Sequence, residues 1–555
     1  MQQPPGISTL NRNQILQELP AEKFDVIVIG GGIMGAGIAL DAASRNLKVL
    51  LVEKQDFAAG TSSRSTKLIH GGLRYLKNFE FGLVRSVARE RKILHHNAPH
   101  LVTPEPMLLP VLKNTSYGYL ATALGLSLYD FLGKVSPTER HRMLGKKETL
   151  QLEPLLNPEY LKGAGYFYEY RTDDARLTLE VLKTAQAHGA TCLNYTALTS
   201  FSYNTDKQLN GAILQDQLSG QTYAVNATCF INATGPWVTE LMAQDQAVKG
   251  PGLYHTKGIH LVVPRNRLPL HQSVYFDIPG GRMLFAVPRN QITYLGTTDT
   301  PFTGNLEQPE VNREDAAYVL QAINQMFPKA NLNLSDVVSS WAGVRALLYD
   351  PGKKPSEISR KDEIYVSASG LISVAGGKLT GYRHLAENVV DKARALKFPQ
   401  LKKKSQTKNL TLSGGDFHNL KEMKQFEATC LQLANTNGLP PERIPILIQN
   451  YGSNTNLVLE KARKFKSQGA NTEIALLKAE IWYAVTAEGA TNLADFLIRR
   501  TGMLYFEREK IEGILPDVLS IFQEKLGWND ETAERSKNDF LNLYQAAVAF
   551  KDAKN

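Results

Sequence analysis

With 555 residues, the chain is long enough for roughly two to four domains and a large buried core. Its 43% apolar and 21% charged residues describe an ordinary soluble globular protein, and no uninterrupted apolar run of about eighteen residues is present to span a membrane. A net charge of +9 with a pI near 9.1 favours anionic partners, whether small phosphates, acidic lipids or nucleic acid, without choosing among them.

Residues 1–22 contain no apolar core of signal-peptide type, so they are expected to be a mobile extension of a cytoplasmic protein. The next stretch, FDVIVIGGGIMGAGIALDAASRNLKVLLVEK (24–54), reads as strand, glycine turn, helix and second strand ending in an acid. Gly30, Gly32 and Gly35 supply the tight turn, the close backbone approach to a pyrophosphate and the tight helix–strand contact. The helix N-terminus then faces the phosphates. Glu53 suits an unphosphorylated adenosine ribose, whose hydroxyls it can accept.

Residues 55–80 are rich in Gly, Ser and Thr and are expected to touch the cofactor. A basic helix is predicted over 81–98, and an apolar one over 117–134. The apolar helix is expected to pack on its own domain, although Lys113, Lys134, Arg140 and Arg142 keep a membrane-surface role open. A helix at 177–187 precedes short strands that end in ATCFINATGPWV, where Thr234 and Gly235 return a small-residue corner to the nucleotide. Residues 256–300 read as antiparallel strands with polar turns. IYVSASGLISVAGGKLTGYRHLAENVV (364–390) is a third strand, glycine turn and helix.

The expected organisation is therefore a discontinuous Rossmann-like layer (23–90, 176–255 and 336–395) and an antiparallel second domain (91–175 and 256–335). A lysine-rich linker over 396–415 follows, then a helical C-terminal domain over 416–555. Lys402 to Lys404 read as a solvated tether rather than a nucleic-acid patch, and no nucleic-acid partner is expected. Cys192, Cys229 and Cys430 are widely spaced, which argues against a redox disulfide or a zinc site.

A single complete glycine fingerprint implies one dinucleotide. The later returns suit a long, buried molecule, which favours FAD over NAD. The segments GTSSRSTKLIHGGLRYL (60–76), NATGPWV, KGIHLVVP, GTTD, GVRAL and GGKLTGYR, with AEGATNLADFLIRRTG (487–502) more weakly, resemble the FAD-dependent glycerol-3-phosphate dehydrogenases. The resemblance implies an α/β fold of the D-amino-acid oxidase type, with a Rossmann-like FAD domain, an antiparallel-sheet substrate domain and an α-helical C-terminal domain. It also implies oxidation of sn-glycerol 3-phosphate to dihydroxyacetone phosphate, with electrons passed to a quinone by a protein held peripherally on the inner face of a membrane. A homodimer is left open.

Under that resemblance Arg74, Tyr75, Arg345, Arg360 and Lys378 are candidates for the substrate phosphate, since paired guanidinium donors suit a phosphate monoester. His260 is the first candidate base, with Arg345 as the alternative stabiliser of the alkoxide. Ser62, Ser63 and Lys67 are assigned to the pyrophosphate side of the cofactor, and His70 to its orientation. Gly71, Gly72, Gly235, Gly377, Leu379 and Thr380 are assigned to the approach to the isoalloxazine ring, with Lys378 beside them. Thr66 reads as turn chemistry. Ala346 departs from the proline expected in the family's GVRPL segment. The rivals are an oxidase passing electrons to oxygen with peroxide formation, and a nonenzymatic FAD-containing binding protein.

Overall fold

The computed structural model describes residues 6–70, 72, 80–113, 118–245, 252–278, 282–348 and 363–551. Its organising element is the apolar strand Lys23–Ile29, buried from Val26 onward. It pairs in parallel with Thr222–Asn232 on one side and Val49–Val52 on the other. Ile372–Ala375 extends the parallel sheet beyond Thr222–Asn232, and Thr191–Leu193 extends it beyond Val49–Val52. Strands buried on both faces need helices to cover them. Ile33–Ser44, wholly buried, supplies one such cover, flanked by Asp174–Ala187 and Tyr382–Lys397. The three separated returns read from the sequence thus form one layer. Ile29, Val52, Asn232 and Ala375 all end at the same sheet edge, where ligands bind in open α/β sheets.

A second sheet runs in the order Thr300–Pro301, Leu253–Pro264, Ile292–Gly296, Arg282–Arg289, Ser273–Ile278, Thr103–Leu112, Leu161–Arg171 and Leu68–Ile69. It is mostly antiparallel, with one parallel pair between Ser273–Ile278 and Thr103–Leu112. The strand Ser339–Leu348, expected in the nucleotide layer, instead pairs along Leu253–Pro264 in this sheet. Its alternation gave no sign of its partner, since pairing across about ninety residues leaves no local trace.

Residues 416–551 are helical, as expected from their periodicity. Residues 6–22 correct the expectation of a mobile extension. Arg12 donates to Asp216 at 2.6 Å, Leu16 and Leu19 are buried, and Ile7 N–H donates to the Ala487 carbonyl at 2.8 Å. A buried cation, a few buried apolar side chains and one backbone hydrogen bond fix this segment. None of these resembles a long amphipathic pattern.

The C-terminal domain is locked to the nucleotide layer by buried charge. Asp56, just after the second strand, accepts from Arg499 and Arg500, and from Asn194 at 2.9 Å. Glu488 accepts from Arg176 at 2.6 Å and from Lys183 at 3.2 Å. Burial raises the Asp56 pKa, but the two guanidinium groups outweigh it and hold the carboxyl well below its usual range. Asp56→Asn keeps the shape but leaves two buried cations undercompensated. Urea unfolding of this variant is expected to show a loss of about 3–5 kcal/mol relative to wild type. An unchanged midpoint would contradict the lock.

Candidate active site

A cavity of about 1740 Å³ opens at the carboxyl edge of the parallel sheet and continues along the second sheet. A usual small-molecule site holds roughly 300–1,000 Å³, so this one has room for a dinucleotide and a further ligand. Gly30, Gly32, Glu53, Thr234, Gly235, Gly376 and Gly377 line its nucleotide end.

The glycines there are sterically required. Gly30 has φ +110°, and a Cβ on it would lie 2.6 Å from the Ala233 carbonyl oxygen. A Cβ on Gly35 would lie 1.8 Å from the Gly30 oxygen, so helix and turn touch only because this residue has no side chain. Gly377, with φ +108°, faces Met34, whose Cγ would stand 2.7 Å from an added Cβ. The Glu53 carboxylate accepts from Gly31 N–H at 2.7 Å and from Gln55 N–H at 2.9 Å. Burial raises its pKa and these two donors oppose the rise. Ser62 Oγ accepts from Ile33 N–H at 2.9 Å, which places the hydroxyl at the N-terminus of the Ile33–Ser44 helix. Thr234 Oγ1 donates to Asn232 at 2.7 Å. Thr380 Oγ1 donates to the His70 carbonyl at 3.2 Å, joining the last glycine turn to the segment 60–70. His70, Gly72, Lys378, Leu379 and Thr380 all line the cavity.

Two expected pyrophosphate contacts lie elsewhere. Ser63 is buried with its hydroxyl 3.5 Å from the Gly60 carbonyl, behind the cavity wall. Lys67 is buried and donates to Asp174 at 2.5 Å, with Asp173 at 4.0 Å. Burial lowers its pKa, but the two carboxylates outweigh it and the net shift is upward. Its charge is already neutralised inside the protein, which the sequence could not signal because the partner acids lie more than a hundred residues away.

On the second-sheet side, Arg345 lines the cavity. Its Nη1 donates to the Thr298 carbonyl at 3.1 Å and to Asp299 at 3.2 Å, and Nη2 donates to Thr297 Oγ1 at 3.2 Å. Gly258 makes room for it, since a Cβ there would sit 2.8 Å from Arg345 Nη2. The GTTD segment therefore orients this guanidinium, a role absent from the sequence reading.

His260 does not line the cavity. Its ring stacks on Trp341 at 4.8 Å and covers Gly296, and Nε2 is 3.0 Å from Thr66 Oγ1. Nδ1 is buried with no hydrogen-bond partner among the described residues. An orphaned acceptor costs less than an orphaned N–H, so the proton belongs on Nε2, donated to Thr66. Burial lowers the His260 pKa strongly, and the positive charges of Arg345 and Lys67 lower it further. The ring is thus a neutral donor standing behind Thr66, which itself lines the cavity. Thr66, read from sequence as turn chemistry, is the residue of this pair that reaches the ligand space.

Arg74, Tyr75, Gly71 and Arg360 lie outside the described residues. Arg64, Glu169 and Asp174 line the cavity without having been singled out from sequence.

Comparison with known proteins places this geometry in a family. Residues 25–383 match the model described as FAD dependent oxidoreductase, and residues 405–533 match the C-terminal domain of alpha-glycerophosphate oxidase. The aerobic glycerol-3-phosphate dehydrogenase of Bacillus subtilis (strain 168) is 46% identical over 551 residues, covering 98% of each chain. The enzyme of the same name from Staphylococcus saprophyticus is 45% identical over 95% of each.

The chain belongs to the FAD-dependent glycerol-3-phosphate dehydrogenase family.

The crystal structure of glycerol-3-phosphate dehydrogenase from Bacillus halodurans, complexed with FAD, superposes with a TM-score of 0.84 at 39% identity over 98% of both chains. L-alpha-glycerophosphate oxidase from Mycoplasma pneumoniae shares the fold, with a TM-score of 0.55 at 20% identity over 67% of this chain and 95% of its own. The residues at the nucleotide end fit the FAD that this dehydrogenase family uses: a glycine cradle in which Gly30 and Gly377 leave no room for a Cβ, a helix N-terminus for the pyrophosphate and the half-buried Glu53 carboxylate for the ribose.

Proposed function

We propose that the protein oxidises sn-glycerol 3-phosphate at C2 to dihydroxyacetone phosphate, the two electrons and two protons removed converting a quinone to its hydroquinone. The observation that carries this reading is that Arg345 and Lys378 both line the cavity that holds the nucleotide cradle. When bound, FAD supplies the hydride acceptor. The chain supplies the rest.

Arg345, its guanidinium fixed by Asp299 and the Thr298 carbonyl, stabilises negative charge on the substrate, including the oxygen at C2 as its proton leaves. Lys378, with Arg74, Tyr75 and Arg360 from the family resemblance, holds the phosphate. His260 positions Thr66, and the Thr66 hydroxyl meets the substrate. Removing that hydroxyl in Thr66→Val is expected to lower kcat about tenfold at unchanged FAD content, the scale of one lost hydrogen bond. Retention of full kcat would remove Thr66 from the site.

We further assign the protein a peripheral place on the inner face of a membrane, where a quinone is available. No helix among the described residues is long and apolar enough to cross one. Steady-state turnover with a quinone analogue, with peroxide measured in air, tests the acceptor. Fast turnover with the quinone and little peroxide is expected. Stoichiometric peroxide in air would make the protein an oxidase.

A further inference from the structure

The helix Tyr119–Gly133, YLATALGLSLYDFLG, carries one charged residue in fifteen. One face packs inward through Thr122, Leu126, Tyr129 and Gly133, as the sequence reading expected. The opposite face does not pack. Leu120 is 83% exposed, Leu124 72% and Phe131 78%. Positions 120, 124, 128 and 131 follow helical spacing and form one stripe, so these are not scattered surface apolars but a continuous patch. A helix packed on one side in water should turn a polar face outward. This one has Ser127 as the polar residue within the stripe.

The rim of the patch is basic. Lys134 ends the helix, and exposed Arg140 and Arg142 flank it on a segment tied to it by His141 Nδ1 and Asp130 at 2.6 Å. Asp130, the helix's own acid, is thereby engaged, and Glu139 accepts from Tyr170 at 2.7 Å. An apolar stripe bordered by long cationic side chains is complementary to a bilayer carrying acidic headgroups, with the lysine and arginine stems lying along the surface and their charges at the phosphates.

A second observation ties the patch to the site. Leu124 and Leu128 of the stripe also line the cavity, together with Leu109, Phe167, Tyr275 and Phe285. The last two rings stack at 4.1 Å. The cavity therefore has an apolar arm whose wall is the inner edge of the exposed stripe.

We propose that the exposed face of Tyr119–Gly133 docks on an anionic lipid bilayer and sets the apolar arm of the cavity against the acyl region, where a lipid-dissolved quinone enters. This rests on the quinone reading above for its second half; the docking stands on the patch itself.

The test uses the full-length holoenzyme and the variant Leu120→Ser/Phe131→Ser, neither position lining the cavity. Sedimentation with phosphatidylcholine vesicles, with and without phosphatidylglycerol, reads docking. Sedimentation velocity reads self-association. Dihydroxyacetone phosphate formation is followed with a water-soluble dye and with a quinone dissolved in the vesicles. Wild type is expected to bind the phosphatidylglycerol vesicles more tightly than phosphatidylcholine alone. The variant is expected to lose roughly hundredfold in vesicle affinity, to lose activity with the vesicle quinone, and to keep its dye activity.

Equal vesicle binding by variant and wild type would overturn the proposal, as would a variant that dissociates a dimer while binding vesicles normally. Wild type that binds no vesicles would overturn it too. Failure of the substrate reading looks different: no dye activity from wild type, whatever the vesicles show.

Discussion

Arg345→Ala is expected to lower kcat/KM for sn-glycerol 3-phosphate by about 10²–10³-fold, the loss found when one preorganised charge-stabilising donor is removed, while FAD stays bound at wild-type stoichiometry. The side chain stands on the second sheet and is held by Thr297, Thr298 and Asp299 rather than by the nucleotide turn. Its loss should therefore spare the cradle. Arg345→Lys keeps the charge but not the planar fork, so it should recover only part of the activity. Steady-state kinetics and the flavin absorbance of the same preparations check both halves. A variant that loses FAD in step with activity would place Arg345 in cofactor binding instead.

Gly35→Ala should yield protein without FAD. The added methyl would lie 1.8 Å from the Gly30 carbonyl oxygen, a backbone atom that cannot swing aside as a side-chain tip can. The helix must move off the turn, and its N-terminus moves with it away from the pyrophosphate. Gly513→Ala is the control, since nothing lies within 4 Å of the methyl there and alanine favours the helix. Flavin absorbance per protein should vanish in the first variant and persist in the second. Wild-type flavin content in Gly35→Ala would mean that the close contact does not govern the cradle.

The nucleotide end was legible because its requirements are local. A buried parallel strand needs a continuous apolar run, a turn at positive φ needs glycine, and the acid follows at the end of the next strand; all of this lies within residues 24–54. The later returns at Thr222–Asn232 and Ile372–Ala375 were visible for the same reason, each ending in small residues.

The second-sheet side of the cavity was less legible because the partners that position its residues are distant in sequence. Nothing near Lys67 announces Asp174, and nothing near His260 announces that Trp341 covers it. Both residues sit in motifs that resemble the family's, yet the structure puts their polar ends behind the cavity and brings Thr66 and the GTTD segment forward. The apolar helix Tyr119–Gly133 was half legible. Its spacing indicated an inward face, but only the packed structure shows that the outward face is apolar as well.

If one cavity joins the FAD cradle to a site for sn-glycerol 3-phosphate, anaerobic titration of the purified holoprotein with this substrate bleaches the flavin absorbance fully at about one equivalent of bound substrate, with dihydroxyacetone phosphate formed in equal amount. A spectrum that stays oxidised at saturating substrate would contradict it.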